Sequence, residues 1–344
     1  MTQHDLASLG WSTHFARQLA ADDPLTPARV TEVQRTHLAT LGPAGPLDLT
    51  ARDGTGTFAV GDWLLHDGNR ARQRLAPLTE IARRGAGASP DPQLIAANVD
   101  TLGIVTSCNQ DFNIARLERY LAVAIAAGCL PLVILTKADQ SADAARFLSQ
   151  AQRLSPLITA LALDARDADA VARLLPWADK GQTLALVGSS GVGKTTLQNA
   201  LTGVAAVTQA IREDDARGRH TTTYRALRPT TAGGWLIDTP GMRGLGMSSA
   251  GDGIAATFAD IADLARACRF GDCRHGNEPG CAVQAAIASG DLDPARLKRR
   301  QKLEREDQRN TEAWHERHAR YRAFGRAARV GKSRSDHKRG GPGG

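Results

Sequence analysis

The sequence has no apolar run long enough to cross a bilayer. The longest run, from Leu121 to Leu135, is too short and is interrupted by Gly128 and Pro131. The first residues also lack the basic segment and the apolar core of a secretory signal. Both absences speak against a membrane-spanning or secreted protein, and we expect a cytoplasmic protein with no membrane partner.

Cysteine is scarce and odd in number, with 5 residues in 344. This number leaves no even disulfide framework, and a clustered arrangement of thiols favours metal binding in a reducing cytoplasm. Cys108 and Cys129 stand alone in apolar surroundings, which predicts core residues. Aromatic residues are also few, at 4%, but a hydrophobic content of 42% is sufficient for packed cores. A chain of this length is expected to contain more than one domain.

A phosphate-binding loop follows the short apolar run Thr183-Leu-Ala-Leu-Val187 and precedes a predicted helix. Its glycines allow backbone N–H groups to converge on phosphates, and Lys194 would reach the β and γ oxygens as a catalytic group. Thr195 is the natural Mg²⁺ ligand at the start of the helix. The predicted nucleotide-binding residues of this loop are Gly188, Ser189, Ser190, Gly191, Val192, Gly193, Lys194, Thr195 and Thr196.

Two further motifs complete a predicted guanine-nucleotide site. Asp238 ends an apolar strand and is expected to hold Mg²⁺, while Gly241 can donate its backbone N–H to the γ-phosphate. Thr136-Lys137-Ala-Asp139 follows another apolar strand. Asp139 can accept hydrogen bonds from guanine N1–H and the 2-amino group, which adenine cannot supply, and Lys137 would lie along the base. The motif therefore favours GTP over ATP.

The order of these motifs is unusual, because the base-reading motif precedes the phosphate loop and Asp238 comes last. In ordinary small GTPases the phosphate loop comes first. The order predicts a circularly permuted domain. Ligands of an open parallel sheet bind at the carboxyl ends of its strands, so the permuted chain can still build the same site.

The stretch Arg217–Thr223 lies where the first switch belongs. Thr222 or Thr223 is predicted to complete the Mg²⁺ shell, and the sequence does not separate the two. Met242 follows Gly241, where Ras-like proteins place a water-orienting glutamine, and methionine cannot orient water. His220 is therefore the catalytic candidate, with simple packing or RNA binding as the alternatives for this side chain.

Cys268, Cys273, His275 and Cys281 lie within fourteen residues. Three thiols and one imidazole match a tetrahedral zinc site with no open position, so one structural Zn²⁺ per chain is expected. Free thiols or a disulfide are the alternatives.

Together these motifs resemble the RsgA (YjeQ) family, circularly permuted GTPases that depend on the small ribosomal subunit. The resemblance spans about residues 29–305. It implies a multi-domain chain: an N-terminal all-β OB-fold barrel, a central α/β P-loop GTPase domain and a C-terminal α-helical zinc-binding domain. It also implies a role in late maturation of the small subunit, with His220 matching the histidine proposed as catalytic in the family.

One departure from the family pattern concerns the second base-binding loop, which is usually Ser-Ala. Here it falls at Asp164-Ala165. Ala165 can still offer its backbone N–H to the guanine carbonyl, but Asp164 replaces the serine whose side chain usually supports the loop.

We divide the chain into three predicted domains. They are 1–92, an N-terminal helix plus OB-fold RNA-binding domain and linker; 93–250, the GTPase; and 251–344, zinc-binding helices with a basic tail. Apolar clusters between Gly and Pro turns also predict the barrel. Residues 296–344 carry 16 Lys/Arg and 6 Asp/Glu, while the rest of the chain is net acidic. Such a segment suits rRNA phosphates, with a solvated helix and an inert tail as the alternative.

The predicted protein is a monomeric GTP hydrolase that binds GTP, GDP, the small ribosomal subunit and its rRNA. The subunit should accelerate its turnover. Two alternatives stay open: an ATP-using P-loop enzyme, and a zinc-stabilised RNA-binding protein with a mainly structural nucleotide site.

Overall fold

The computed structural model describes residues 5–20, 24–52, 54–84, 92–156, 158–204, 225–238 and 250–311. Its strands are β1 (Thr26–Val33), β2 (Leu38–Gly42), β3 (Gly45–Ala51), β4 (Trp63–His66), β5 (Arg70–Arg74), β6 (Glu80–Arg84), β7 (Pro92–Ala97), β8 (Thr101–Ser107), β9 (Leu130–Thr136), β10 (Thr159–Ala162), β11 (Thr183–Gly188), β12 (Ala226–Pro229) and β13 (Trp235–Asp238). Its α-helices are α1 (Thr13–Ala16), α2 (Ile114–Ala126), α3 (Ala144–Gln152), α4 (Ala168–Ala172), α5 (Lys194–Thr202), α6 (Gly251–Thr257), α7 (Ala259–Arg266) and α8 (Ala282–Ser289). Residues 294–311 are also helical.

The first five strands close into a barrel. β1 pairs antiparallel with both β2 and β4, β2 pairs with β3, and β5 bridges β3 and β4. Alternate residues point inward and fill the barrel with small and branched side chains, including Val30, Leu38, Leu49 and Leu64. This barrel confirms the all-β N-terminal fold, and β6 and β7 form a separate antiparallel pair after it.

The N-terminal segment covers one side of the barrel through aromatic packing. Trp11 meets Trp63 of β4 edge to face, with ring centroids 4.8 Å apart, and Phe15 of α1 is buried. Such aromatic pairs add to the free energy gained by burying their surface. The short helix predicted to pack on the barrel is confirmed.

The central sheet has the strand order β10-β9-β8-β11-β13-β12, and every pair is parallel except β12 with β13. Its strands are buried on both faces, which explains their nearly continuous apolar sequences. Helices α2 and α3 pack on one face, while α4 and α5 pack on the other. The strand that precedes the phosphate loop, β11, lies in the middle of the sheet, so a permuted chain order still gives a doubly wound sheet.

The barrel and the sheet are hydrogen-bonded to each other, because β1 also pairs with β12 at Glu32 and Ala226. Arg29 of β1 is 1% exposed and lies at this junction. Its guanidinium donates to the Leu9 carbonyl at 2.6 Å, to the Asn98 carbonyl at 3.2 Å and to the Thr183 hydroxyl at 2.8 Å. Burial lowers the pKa of Arg29 to about 10, with Asp100 acting in the opposite direction.

The C-terminal helices dock on α2. Gly253 of α6 approaches so closely that an added Cβ would lie 2.0 Å from the Ala122 carbonyl oxygen. The Glu118 carboxylate of α2 accepts hydrogen bonds from Arg296 at 2.9 Å and from Arg299 at 2.6 Å. These contacts join the segment 294–311 to the nucleotide-binding sheet.

Within the described residues, none of the helices combines the length and the apolar character needed to cross a membrane. The predicted domain limits at 92/93 and 250/251 stay predictions.

Candidate functional site

The phosphate loop runs from the end of β11 to the first turn of α5. Gly188 has a φ of 148°, and a Cβ there would lie 2.1 Å from the Val105 carbonyl oxygen of the neighbouring strand β8. Gly193, with a φ of 91°, is the left-handed residue that precedes the helix. Both positions require glycine, because a side chain would clash or be strained. The loop thus turns sharply into a helix N-terminus, where free backbone N–H groups attract anions.

Lys194 lies folded across this loop. Its ammonium group donates to the Gly188 carbonyl at 2.9 Å and also to the Ser189 carbonyl. The positive charge is therefore already held over the concave side of the loop, where a phosphate oxygen could replace a carbonyl as acceptor. Thr195 and Thr196 follow in the first turn of α5.

The base-reading loop lies directly beside the phosphate loop. Thr136, fully buried at the end of β9, donates its hydroxyl to the Val192 carbonyl at 2.6 Å. Lys137 has a left-handed backbone with a φ of 57°, and its ammonium donates to the Gly191 carbonyl at 2.9 Å. The structure thus brings together the two loops that the sequence places about fifty residues apart.

A cavity of about 380 Å³ opens between these loops and the turn after β8. Its lining residues are Ser107, Asn109, Gln110, Asp111, Lys137, Ser190, Gly191 and Val192.

Asp139 lies in a short 3₁₀ turn, Ala138–Gln140, after Lys137. Its Oδ2 accepts a hydrogen bond from the Arg166 guanidinium at 2.7 Å. Arg166 also donates to both carboxylate oxygens of Asp164, at 3.2 and 3.3 Å, and so holds the pKa of Asp164 below its usual range. Ala165, between the two, is buried. The sequence analysis missed Arg166, although a basic residue directly after Asp164-Ala165 was a signal for it.

Asp238 ends β13, next to β11, and therefore reaches the same edge of the sheet as the phosphate loop. Its Oδ1 accepts a hydrogen bond from the Gln198 side chain at 2.6 Å. Gln198 and Thr195 are three residues apart on α5, so they face the same side of that helix. A carboxylate and a hydroxyl are oxygen ligands of the kind that Mg²⁺ takes in proteins.

Helix α2 contacts the phosphate loop through its first turn. The Asn113 side chain accepts from the Arg116 backbone N–H at 2.9 Å and caps the helix. The Arg116 guanidinium donates to Asp111 Oδ1 at 2.9 Å and also to the Ser189 hydroxyl. This contact was not predicted, since nothing local in the sequence relates Arg116 to a loop 73 residues away.

Several predicted site residues lie outside the described residues. They are His220, Thr222, Thr223 and Gly241, together with Met242, and the basic tail beyond residue 311.

The predicted metal ligands converge. The ligand atoms of Cys268, Cys273, His275 and Cys281 all lie within 4.8 Å of one another. The Cys268 and Cys281 sulfurs are 3.9 Å apart, and each is 3.6 Å from His275 Nδ1. A tetrahedral Zn²⁺ with bonds of about 2.3 Å to sulfur and about 2.0 Å to nitrogen would separate its ligands by roughly 3.5–3.8 Å. The cluster therefore has the donor set and the spacing of a closed metal site.

Contacts around the cluster hold the ligands in place. Cys281 caps α8, with its sulfur accepting from the Gln284 backbone N–H at 3.4 Å, and the Gln284 side chain donates to the His275 carbonyl at 2.5 Å. Burial lowers the pKa of His275, which favours the neutral imidazole that a metal binds. Cys108 and Cys129 lie in the core as predicted, and burial raises the pKa of the Cys129 thiol to about 12.

Comparisons with known proteins agree with this architecture. Residues 78–248 match the profile of the RsgA GTPase family. The protein called small ribosomal subunit biogenesis GTPase RsgA of Mesorhizobium japonicum is 51% identical over 315 residues, which cover 89% of this chain and 91% of that relative. RsgA 2 of Vibrio parahaemolyticus is 44% identical over 332 residues, which cover 95% of this chain and 93% of the relative.

Two solved structures share the fold. The structure of YjeQ from Thermotoga maritima has a TM-score of 0.60 at 20% identity and covers 81% of this chain and 97% of its own. The structure of YloQ, described as a circularly permuted GTPase, has a TM-score of 0.59 at 20% identity and covers 85% of this chain and 98% of its own. The predicted fold, a barrel followed by a permuted P-loop sheet and helices with a Cys/His cluster, is confirmed.

Proposed function

This chain belongs to the RsgA family of GTPases, and on that basis we propose that it hydrolyses GTP in the biogenesis of the small ribosomal subunit. The identity to small ribosomal subunit biogenesis GTPases extends over nearly the full length of both chains, so it includes the barrel and the metal cluster as well as the GTPase. The partners in this proposal are the small subunit and its rRNA. We also propose that the protein is cytoplasmic and acts as a monomer.

One observation carries the nucleotide-binding part of the proposal. Thr136 and Lys137 of the base-reading loop are hydrogen-bonded to Val192 and Gly191 of the phosphate loop. A guanine held by Asp139 would therefore place its phosphates on the neighbouring loop without any movement of the sheet.

Each group of the site then has a role in binding GTP. Asp139 accepts the two guanine N–H donors, and the Ala165 backbone N–H donates to the guanine carbonyl. The phosphates lie against the backbone of Gly188–Gly193, and Lys194 exchanges its two carbonyl acceptors for β and γ oxygens. Mg²⁺, held by Thr195 and Asp238, would neutralise charge on the phosphates.

The groups proposed for hydrolysis come from both switches. Gly241 donates its backbone N–H to the γ-phosphate, Thr222 or Thr223 completes the Mg²⁺ shell, and His220 orients the attacking water that Met242 cannot. Because these groups are not all preassembled in our proposal, turnover of the isolated protein is slow, and the small subunit accelerates it by ordering the first switch.

We assign zinc to the Cys₃His cluster, because three sulfurs and one nitrogen at these separations match a closed tetrahedral site. One Zn²⁺ per chain would fix the loop between α7 and α8. Its role is structural, since four protein ligands leave no position for a substrate.

The structure also contains a route from the nucleotide to the metal-bearing helices. The phosphate loop contacts Arg116 at the start of α2, and Glu118, two residues later, holds Arg296 and Arg299 of the segment 294–311. Asp238 is followed after a dozen residues by α6, which packs on the same helix α2. We propose that GTP shifts these helices relative to the sheet and that hydrolysis releases them.

Binding assays test the nucleotide specificity. Displacement of a fluorescent GDP analogue should need far more ATP than GTP, which would exclude the ATP-using alternative. Asp139→Ala should weaken GDP binding by at least about tenfold, because two guanine donors lose their acceptor. Asp143→Ala, an exposed carboxylate four residues away, is the matched control and should bind GDP normally.

Turnover assays then separate an enzyme from a nucleotide-stabilised RNA-binding protein. GTP hydrolysis should be slow alone and faster with purified small subunits, and His220→Ala should lose most of the stimulated rate. If subunits bind but do not change the rate, the nucleotide site is structural and the proposed function is wrong.

A further inference from the structure

The base-reading carboxylate lacks the hydroxyl partner that the family pattern usually provides. Asp164 occupies that position, and an ionised carboxylate only accepts hydrogen bonds, so it cannot support Asp139. Asp164 also places a second negative charge at the base-binding loops. Some other donor is needed if Asp139 is to be held in one orientation.

Arg166 fills this need in the structure. Its guanidinium donates to Asp139 Oδ2 at 2.7 Å while it also donates to both oxygens of Asp164. The Arg166 backbone N–H donates to Asp164 Oδ1 at 2.9 Å and closes a tight turn. Lys137, the nearest cation in sequence, is directed instead at the Gly191 carbonyl.

We propose that Arg166 is a positioning residue for guanine recognition, in which Asp164 orients Arg166 and Arg166 orients Asp139. The inference rests on the proposed function, because it assumes that Asp139 reads guanine. A carboxylate has about four lone-pair sites. Asp139 can therefore accept from Arg166 and from both guanine donors at the same time, and the guanidinium does not have to leave when the base binds.

The planar fork of arginine suits this role, because one group must serve two carboxylates. The Arg166 side chain is 63% exposed and that of Asp139 is 31% exposed. An ion pair this exposed contributes little to folding. Its removal should affect base recognition, which depends on the direction of the Asp139 oxygens, more than the stability of the protein.

Two rival readings of the same contact make different predictions. If the pair is an incidental surface contact, Arg166→Ala leaves nucleotide affinity unchanged. If Arg166 blocks the base pocket and guanine must displace it, Arg166→Ala binds GDP more tightly. Only a positioning role makes binding weaker and also less selective.

The experiment compares GDP with IDP, whose base lacks the 2-amino group, as competitors of a fluorescent GDP analogue on the full-length protein. Arg166→Ala should weaken GDP binding by about three- to fivefold and should narrow the ratio of GDP to IDP affinity. Arg173→Ala is the control, because Arg173 is an exposed arginine of the neighbouring turn that contacts the Ala162 carbonyl at 3.5 Å. It should change neither value.

A second variant tests the mechanism. In Asp164→Ser/Arg166→Ala a serine hydroxyl can again donate to Asp139, so the ratio of GDP to IDP affinity should recover. An unchanged ratio in Arg166→Ala, tighter GDP binding, or no recovery in the double variant would overturn the inference. If the unmodified protein itself fails to bind GDP, the proposed function falls as well, so the two failures are distinguishable.

Discussion

Replacing Glu118 by alanine should detach the C-terminal helices from α2 at a large cost in stability. The Glu118 side chain is 0% exposed, and its two oxygens face Arg296 and Arg299, whose side chains are 12% and 22% exposed. Arg296 also donates to the Leu154 and Thr257 carbonyls and lies over the Phe258 ring. One carboxylate therefore holds a junction of several elements.

The magnitude follows from what the substitution leaves behind. Removing one partner of a buried ion pair typically costs about 3–5 kcal/mol, because the remaining charge is left unpaired in a poorly solvated site. Arg296 keeps a second carboxylate, Asp260, at 2.7 Å, so the lower end of that range applies. With about 2 °C per kcal/mol for a large domain, the unfolding temperature should fall by roughly 6 °C.

Thermal and urea unfolding followed by circular dichroism would measure this loss, and hydrogen exchange would locate it in residues 294–311. Glu304→Ala is the control, because Glu304 is 44% exposed and pairs only with Arg300 across one helical turn among the ion pairs of the described residues. That variant should lose no more than about 0.5 kcal/mol. Equal losses in the two variants would refute the view that Glu118 is a buried junction.

Two further predictions concern the metal cluster and acid stability. Cys281→Ser should lower the zinc content below one ion per chain by elemental analysis and should increase hydrogen exchange in α8; an unchanged zinc content would contradict the assignment. Asp67 accepts from the backbone N–H groups of Arg70 and Asn69 and from Arg72, which lowers its pKa to about 2. Since this pKa is below that of the unfolded chain, the stabilisation is present above about pH 4 and is lost as pH falls towards 2. Asp67→Asn should flatten the stability profile in that window, and an unaltered profile would argue against the contact.

The sequence predicted those parts of the site that depend on local patterns. Gly188 to Thr195 specifies a strand, a turn and a helix start within eight residues, and the strand-end rule then places Asp139 and Asp238 at the same edge. The cysteine cluster is also local, since its ligands lie within fourteen residues.

Contacts between distant residues could not be predicted in this way. Glu118 and Arg296 are 178 residues apart, and Arg29 meets Thr183 across 154 residues. Such pairs depend on how the barrel, the sheet and the C-terminal helices pack, which no local periodicity encodes. Arg166 is intermediate, because its position next to Asp164 is visible in the sequence but its contact with Asp139 depends on the adjacency of β9 and β10.

The pairing of β1 with β12 has a mechanical consequence. Strand β12 begins shortly after Thr223 in the sequence, and through Glu32 and Ala226 it shares a ladder with the wall of the barrel. Arg29 ties the same wall to the root of the strand that leads into the phosphate loop. A cargo seated on the barrel would therefore brace the anchor point of the first switch, so that grip and timing are set by one stretch of backbone, while the freedom to swing is left to the opposite end of the molecule.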